Sequence, residues 1–314
     1  MGATIINWLI FCHRQTCLIV VLAFAVGSVH ATEVTLPYKG LTLNADLQLA
    51  ADRQLADGVI LITHGGLAHN GMEIIVNLQK ELKDRGYSTL AINLSLGLNN
   101  RHGMYDCKIT QRHRNEDAVN EIGVWVDWLQ RQGAKRVVLL GHSRGGAQTA
   151  LYGAEHDKGL IKAVVLMAPA IKENTGPASY QQHYKLALEP LLKKAEKLVK
   201  EGKGNSKIEH IGLLNCGNTS ATAASFVSYY GNSQRVDTPS LLPKIKKPVL
   251  VLVAGGDEVV VGLEPKLAQL ANDKYLQVKV IDGADHTFRD LYLDDAVDGI
   301  DAFLKGIGYP SPAQ

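Results

Sequence analysis

One six-residue run constrains this chain more than any other. Gly141-His142-Ser143-Arg144-Gly145-Gly146 follows the apolar run Val137-Val138-Leu139-Leu140 and precedes Ala147-Gln148-Thr149, which opens a helical segment. A strand must pass into a helix through a sharp turn with a serine at its apex. Small residues flanking the serine let strand and helix pack closely. The same turn sets Ser143 at a helix N-terminus, where free backbone N–H groups favour developing negative charge. A strand–turn–helix joint of this kind is one step of a βα alternation.

The rest of the chain keeps that rhythm. Glu33 to Leu49 reads as an opening hairpin turning at Lys39-Gly40, and Gly58 to His64 is a continuous apolar run suited to a strand buried on both faces. Helices are expected over Gly71–Arg85, Asn115–Arg131, Ser143–His156, Glu264–Ala271 and Phe288–Leu304. Strands are expected over Ser88–Leu94, Arg136–Leu140, Lys162–Met167, Pro248–Val253 and Gln277–Ile281. The pattern predicts an α/β fold: a central, mostly parallel sheet flanked by helices. Residues 171–240 break the alternation with an amphipathic helix, roughly Tyr180–Lys200, and shorter pieces. They are expected to form a helical cap inserted into a single domain spanning 32–314.

Residues 1–31 carry a basic flank (His13, Arg14), the apolar run Leu18–Val26 and small residues before a cleavage point after Ala31. Those are the parts of an export signal, predicting a periplasmic or extracellular protein; an uncleaved leader acting as an anchor is the alternative. Removing it leaves two cysteines, Cys107 and Cys216. In an oxidising compartment they could pair, or both could remain free and buried. The formal net charge of +2 leaves no polyanion footprint, so nucleic acid is not an expected partner.

The Gly141–Gly146 run in its strand–turn–helix setting resembles the nucleophile elbow of the α/β-hydrolase superfamily, and the resemblance extends over residues 33–306. That family orders its triad Ser, then Asp or Glu, then His. The acid is expected after a late strand, where Pro248–Gly256 delivers Asp257, and the base after the last strand, where Lys279–Asp285 leads to His286. The resemblance implies Ser143 as nucleophile, His286 as base and Asp257 as the acid, with Glu258, Asp282 and Asp285 as neighbouring decoys. His64-Gly65-Gly66-Leu67 follows another strand, and implies an oxyanion hole built from the N–H groups of Gly66 and Arg144, with Leu67 the fallback and His64 in support. It implies a serine hydrolase of small acyl substrates, carboxylic esters first, working without cofactor or metal. Peptidase, thioesterase and acyltransferase chemistry would use the same residues. A binding protein that kept the fold is the alternative of another class.

Substrate contacts are left unassigned. The loop from Ser95 to Arg114, rich in Arg and His, reads first as a solvated loop. It could instead select an anionic substrate, or bind a metal through His102, Asp106 and His113. Lysines 193, 194, 197, 200 and 203 read as a solvated face, with attraction to an anionic membrane surface as the rival.

Overall fold

The computed structural model describes residues 32–231, 235, 237–270 and 275–310. The expected leader, 1–31, lies outside them. Eight strands form one sheet in the order β1-β2-β4-β3-β5-β6-β9-β10. They are β1 (Thr32–Tyr38), β2 (Leu41–Gln48), β3 (Val59–Thr63), β4 (Thr89–Asn93), β5 (Val137–His142), β6 (Ile161–Met167), β9 (Val249–Ala254) and β10 (Leu276–Ile281). Only β2 runs against its neighbours β1 and β4; the pairings from β4 through β10 are parallel.

Alternation within each strand explains the two cores. In β3, Val59 and Leu61 face one side with Val137 and Leu139 of β5; Ile60 and Ile62 face the other with Val138 and Leu140. The first side is covered by α2 (Asn115–Arg131), through Ile122, Trp125 and Leu129, and by α3 (Ser143–Glu155), through Leu151 and Tyr152. The second is covered by α1 (Glu73–Asp84), through Ile75, Leu78 and Leu82, and by α9 (Leu291–Gly306), through Val297, Ile300 and Leu304. Each fully buried side chain of this size contributes about 1.5–3 kcal/mol. A sheet covered on both faces has no use for polar alternation, which is why its central strands read as unbroken apolar runs.

Between β6 and β9 the chain leaves the sheet. The segment holds α4 (Pro177–Tyr184), α5 (Leu188–Lys200), a hairpin of β7 (Lys207–Leu213) and β8 (Cys216–Thr222), then α6 (Ala223–Tyr230) and α7 (Thr238–Leu241). A short helix, α8 (Leu263–Ala268), follows β9. Two differences from the expected helical cap stand out. The helix predicted over 180–200 is two helices, because Lys185 turns left-handed at φ 59° and ends the first. The segment also contains a two-stranded sheet.

The 95–114 loop is not a solvated loop. Arg101, Tyr105, Gln111 and His113 are buried, and residues 107–116 run along β8 and α6. Cys107 is disulfide-bonded to Cys216, and Thr219 Oγ1 donates to the Cys107 carbonyl at 2.7 Å. Gln111 N–H donates to the Ser220 carbonyl at 2.8 Å, and Thr222 N–H to the Gln111 carbonyl at 2.9 Å. Ser225 Oγ donates to the His113 carbonyl at 2.6 Å, and Asn115 N–H to Ser228 Oγ at 2.9 Å. The inserted segment is therefore fastened to the body along one edge. Among the described residues no helix is long and apolar enough to cross a membrane, and no cluster of three or more His, Cys, Asp or Glu side chains is arranged to hold a metal. Of the trio His102, Asp106 and His113, His102 instead meets Glu33 at 3.1 Å and His113 meets Tyr229.

Candidate active site

Four loops converge at the C-terminal ends of β3, β5, β9 and β10, the edge where α/β sheets bind ligands. The turn after β5 carries Ser143 at φ 56°, a left-handed conformation that costs a non-glycine residue on the order of 1–2 kcal/mol. It is held by close packing. A Cβ on Gly145 would lie 2.1 Å from the His64 carbonyl oxygen, and one on Gly141 would lie 2.5 Å from the Gly145 carbonyl oxygen. The glycines of the elbow are thus places where backbone meets backbone.

Ser143 Oγ lies 2.8 Å from His286 Nε2, and His286 Nδ1 lies 2.8 Å from Asp257 Oδ2. The second Asp257 oxygen, Oδ1, accepts the N–H groups of Val259 at 2.7 Å and Val260 at 2.9 Å. Burial raises the Asp257 pKa. The hydrogen bonds from His286, Val260 and Val259 together outweigh it and hold the carboxyl below its ordinary value. An ionised Asp257 keeps the proton of His286 on Nδ1, leaving Nε2 to accept from Ser143. Of the decoys, Asp285 is occupied by Thr287 N–H and Oγ1, both at 2.9 Å, and Glu258 is exposed.

The Gly65-Gly66 turn lies against the serine: a Cβ on Gly65 would sit 2.9 Å from Ser143 Cβ. Gly66 takes φ 46°. Arg144, second residue of α3, has no helical carbonyl to donate to, so its N–H and the Gly66 turn flank the serine. The tip of the β7–β8 hairpin reaches the same place, with Asn215 Nδ2 3.9 Å from the position of a Gly66 Cβ.

A family model described as serine aminopeptidase, S33, matches residues 54–289. The chain belongs to that family, within the α/β-hydrolase superfamily. Among solved structures it is similar to Est1E from Butyrivibrio proteoclasticus (19% identity, 88% of this chain and 98% of that one, TM-score 0.63). It is also similar to the esterase domain of a Rhodothermus marinus protein (18%, 88% and 98%, TM-score 0.59) and to an esterase from Pyrococcus furiosus (17%, 89% and 91%, TM-score 0.60). At these identities the likeness concerns the fold. No curated protein matches the chain in sequence.

Three supporting residues of this S33-family hydrolase carry the loops. His142 is buried, and burial with the neighbouring His286 charge pushes its pKa down to about 4. Neutral, its Nε2–H donates to the His286 carbonyl at 2.8 Å, fixing the loop that carries His286. His64 is pushed down to about 3 by burial and the Arg101 charge. Its Nε2 accepts the Leu94 N–H at 3.0 Å, so Nδ1 carries the proton and faces the Gly65 carbonyl at 3.2 Å. Arg101 lies behind His64, with Nη2 3.3 Å from its Nε2: its guanidinium donates to the carbonyls of Leu94 (2.8 Å), Gly103 (2.5 Å) and Ala68 (2.8 Å) and to Asn93 Oδ1 (2.7 Å). Burial lowers its pKa to about 10, still protonated at neutrality. Sequence reasoning had Arg101 in solvent and gave His142 no role. Nothing local marks His142, whose partner comes from the loop after β10, and the carbonyls around Arg101 leave no trace in side-chain type.

Proposed function

We propose that this chain is a serine hydrolase that cleaves carboxylic esters. The observation that carries the reading is the continuous hydrogen-bonded line Ser143 Oγ, His286 Nε2, His286 Nδ1, Asp257 Oδ2, with 2.8 Å at both links. His286 removes the Ser143 proton as Oγ bonds to the acyl carbon, and the Asp257 carboxylate stabilises the imidazolium. The carbonyl oxygen becomes an oxyanion held by the Gly66 and Arg144 N–H groups. The bond to the leaving alkoxide then breaks, and His286 Nε2–H protonates it. Water, deprotonated by His286, repeats the sequence on the acyl-enzyme and releases the acid. No resident cofactor is part of this scheme. We propose export through residues 1–31 on the strength of their charge and apolar pattern.

The test is labelling of the purified mature protein with a fluorophosphonate, beside Ser143→Ala, with short and long p-nitrophenyl esters as substrates. Labelling and turnover that both vanish in Ser143→Ala sustain the reading. Labelling without ester turnover redirects it to peptides, thioesters or acyl acceptors. A folded protein that never labels would favour a binding role. The family's description favours a second reading, release of N-terminal amino acids, checked with aminoacyl p-nitroanilides.

A further inference from the structure

The hydrolytic scheme uses only the backbone of Arg144, yet its side chain is the more unusual part. The guanidinium lies over the ring of Tyr229 on α6, 5.7 Å from the centroid. Its Nη1 is buried and finds no hydrogen-bond partner among the described residues. Arg101 is the contrast. That residue is buried as a whole, and carbonyl oxygens and Asn93 take up its N–H groups. The fold can satisfy a buried arginine, whereas half-buried Arg144, on the residue after the nucleophile, keeps one buried N–H group unpartnered among the described residues.

A second open group sits on the same tyrosine. His113 is 2% exposed, meets the Tyr229 hydroxyl through Nδ1 at 2.8 Å and packs edge-on against its ring, while its Nε2 has no partner among the described residues. Around them Tyr180, Tyr184, Phe226 and Tyr230 pack ring to ring within the inserted segment. An unsatisfied charged donor in such surroundings is costly unless an acceptor arrives with the ligand. The acceptor that best matches a planar guanidinium is a carboxylate.

We propose that Arg144 is a specificity-determining residue that binds a carboxylate on the substrate, so that the preferred esters carry an acyl group ending in a carboxylate. The proposal rests on the hydrolytic reading of Ser143. Because Arg144 follows Ser143 directly, the acid must lie a few bonds from the reacting carbonyl.

The test compares 4-nitrophenyl hydrogen glutarate with 4-nitrophenyl pentanoate, which replaces the terminal carboxylate by a methyl group, each corrected for spontaneous hydrolysis. The ratio of the two kcat/KM values cancels any damage to the elbow common to both. The wild type should prefer the glutarate ester by roughly tenfold or more, Arg144→Gln should reduce the ratio by a similar factor, and Arg144→Lys should restore part of it. A wild-type ratio at or below one, or a ratio that Arg144→Gln leaves unmoved, overturns the proposal while leaving ester hydrolysis intact. If neither ester is turned over, calorimetric titration of glutarate into Ser143→Ala decides. Saturable binding that disappears in Ser143→Ala/Arg144→Gln sustains the carboxylate site, and no binding removes it.

Discussion

The cross-link between Cys107 and Cys216 should contribute a large, measurable share of stability. The two positions are separated by 109 residues, with 5.4 Å between their Cα atoms. Chain entropy assigns a closed loop of about 100 residues roughly 4.7 kcal/mol of stabilisation, through restriction of the unfolded chain. A compact denatured state lowers that figure, so about 3–5 kcal/mol is expected. At roughly 2 °C per kcal/mol for a domain of this size, Cys107→Ser/Cys216→Ser should melt about 6–10 °C below the oxidised protein. The double variant is preferred to single ones, which leave a reactive thiol. Calorimetry on the wild type, on the double variant, and on both with reductant gives the comparison; reductant should lower the first and leave the second alone. If Cys107 and Cys216 of the denatured, unreduced protein can both be alkylated, the bond is absent. If it is present and the variant melts within about 1 °C of wild type, the loop-closure reasoning itself is wrong. A separate early transition would mean that the segment from α4 to α6 unfolds before the sheet.

Three further outcomes follow from the site. Asp257→Asn should keep the fold but lower kcat by roughly 10⁴-fold, because an amide no longer holds the His286 proton on Nδ1; a loss under tenfold in steady-state ester assays would remove Asp257 from the triad. Gly145→Ala should fail to give soluble folded protein, since its Cβ would meet the His64 and Thr63 carbonyl oxygens at 2.1 and 2.6 Å; a normally melting variant would refute the packing account. Burial raises the Glu121 carboxyl from 4.5 to about 7. The native state therefore binds the extra proton, and stability falls as pH rises from about 4.5 through 7. Over that window Glu121→Gln should gain up to about 3 kcal/mol relative to wild type in denaturant titrations, and a difference independent of pH would exclude this assignment.

How much of this was legible in the residues depends on how local each constraint is. The elbow was legible because strand, turn glycines and helix are contiguous, and the backbone contacts at Gly141 and Gly145 confirm why small residues stand there. Asp257 and His286 came from the resemblance to the α/β-hydrolase family, which expects an acid and a histidine in the loops after its late strands. The β7–β8 hairpin did not announce itself. Lys207–Leu213 and Cys216–Thr222 mix polar and small residues, and the register slips where His210 turns to φ 55°, so no regular alternation survives. The break at Lys185 is equally silent, since lysine is an ordinary helix former.

The two arginines show where reading a sequence stops. Arg101 and Arg144 carry the same group, both stand near glycines, and both read as polar loop or turn residues. What separates them is which oxygen atoms the fold delivers. The carbonyls of Leu94 and Gly103 lie on Arg101's own loop after β4, and that of Ala68 comes from the loop after β3, which adjoins it once β3 and β4 have paired; together they make Arg101 a pin between the two loops. Arg144 projects from the first turn of α3 toward α6, where the neighbours are aromatic rings rather than carbonyls. A cation–π contact satisfies the face of a guanidinium but not its N–H edge. Charge alone would assign both arginines the same role; the presence or absence of acceptors for their N–H groups assigns one to holding the site and the other to reading the substrate.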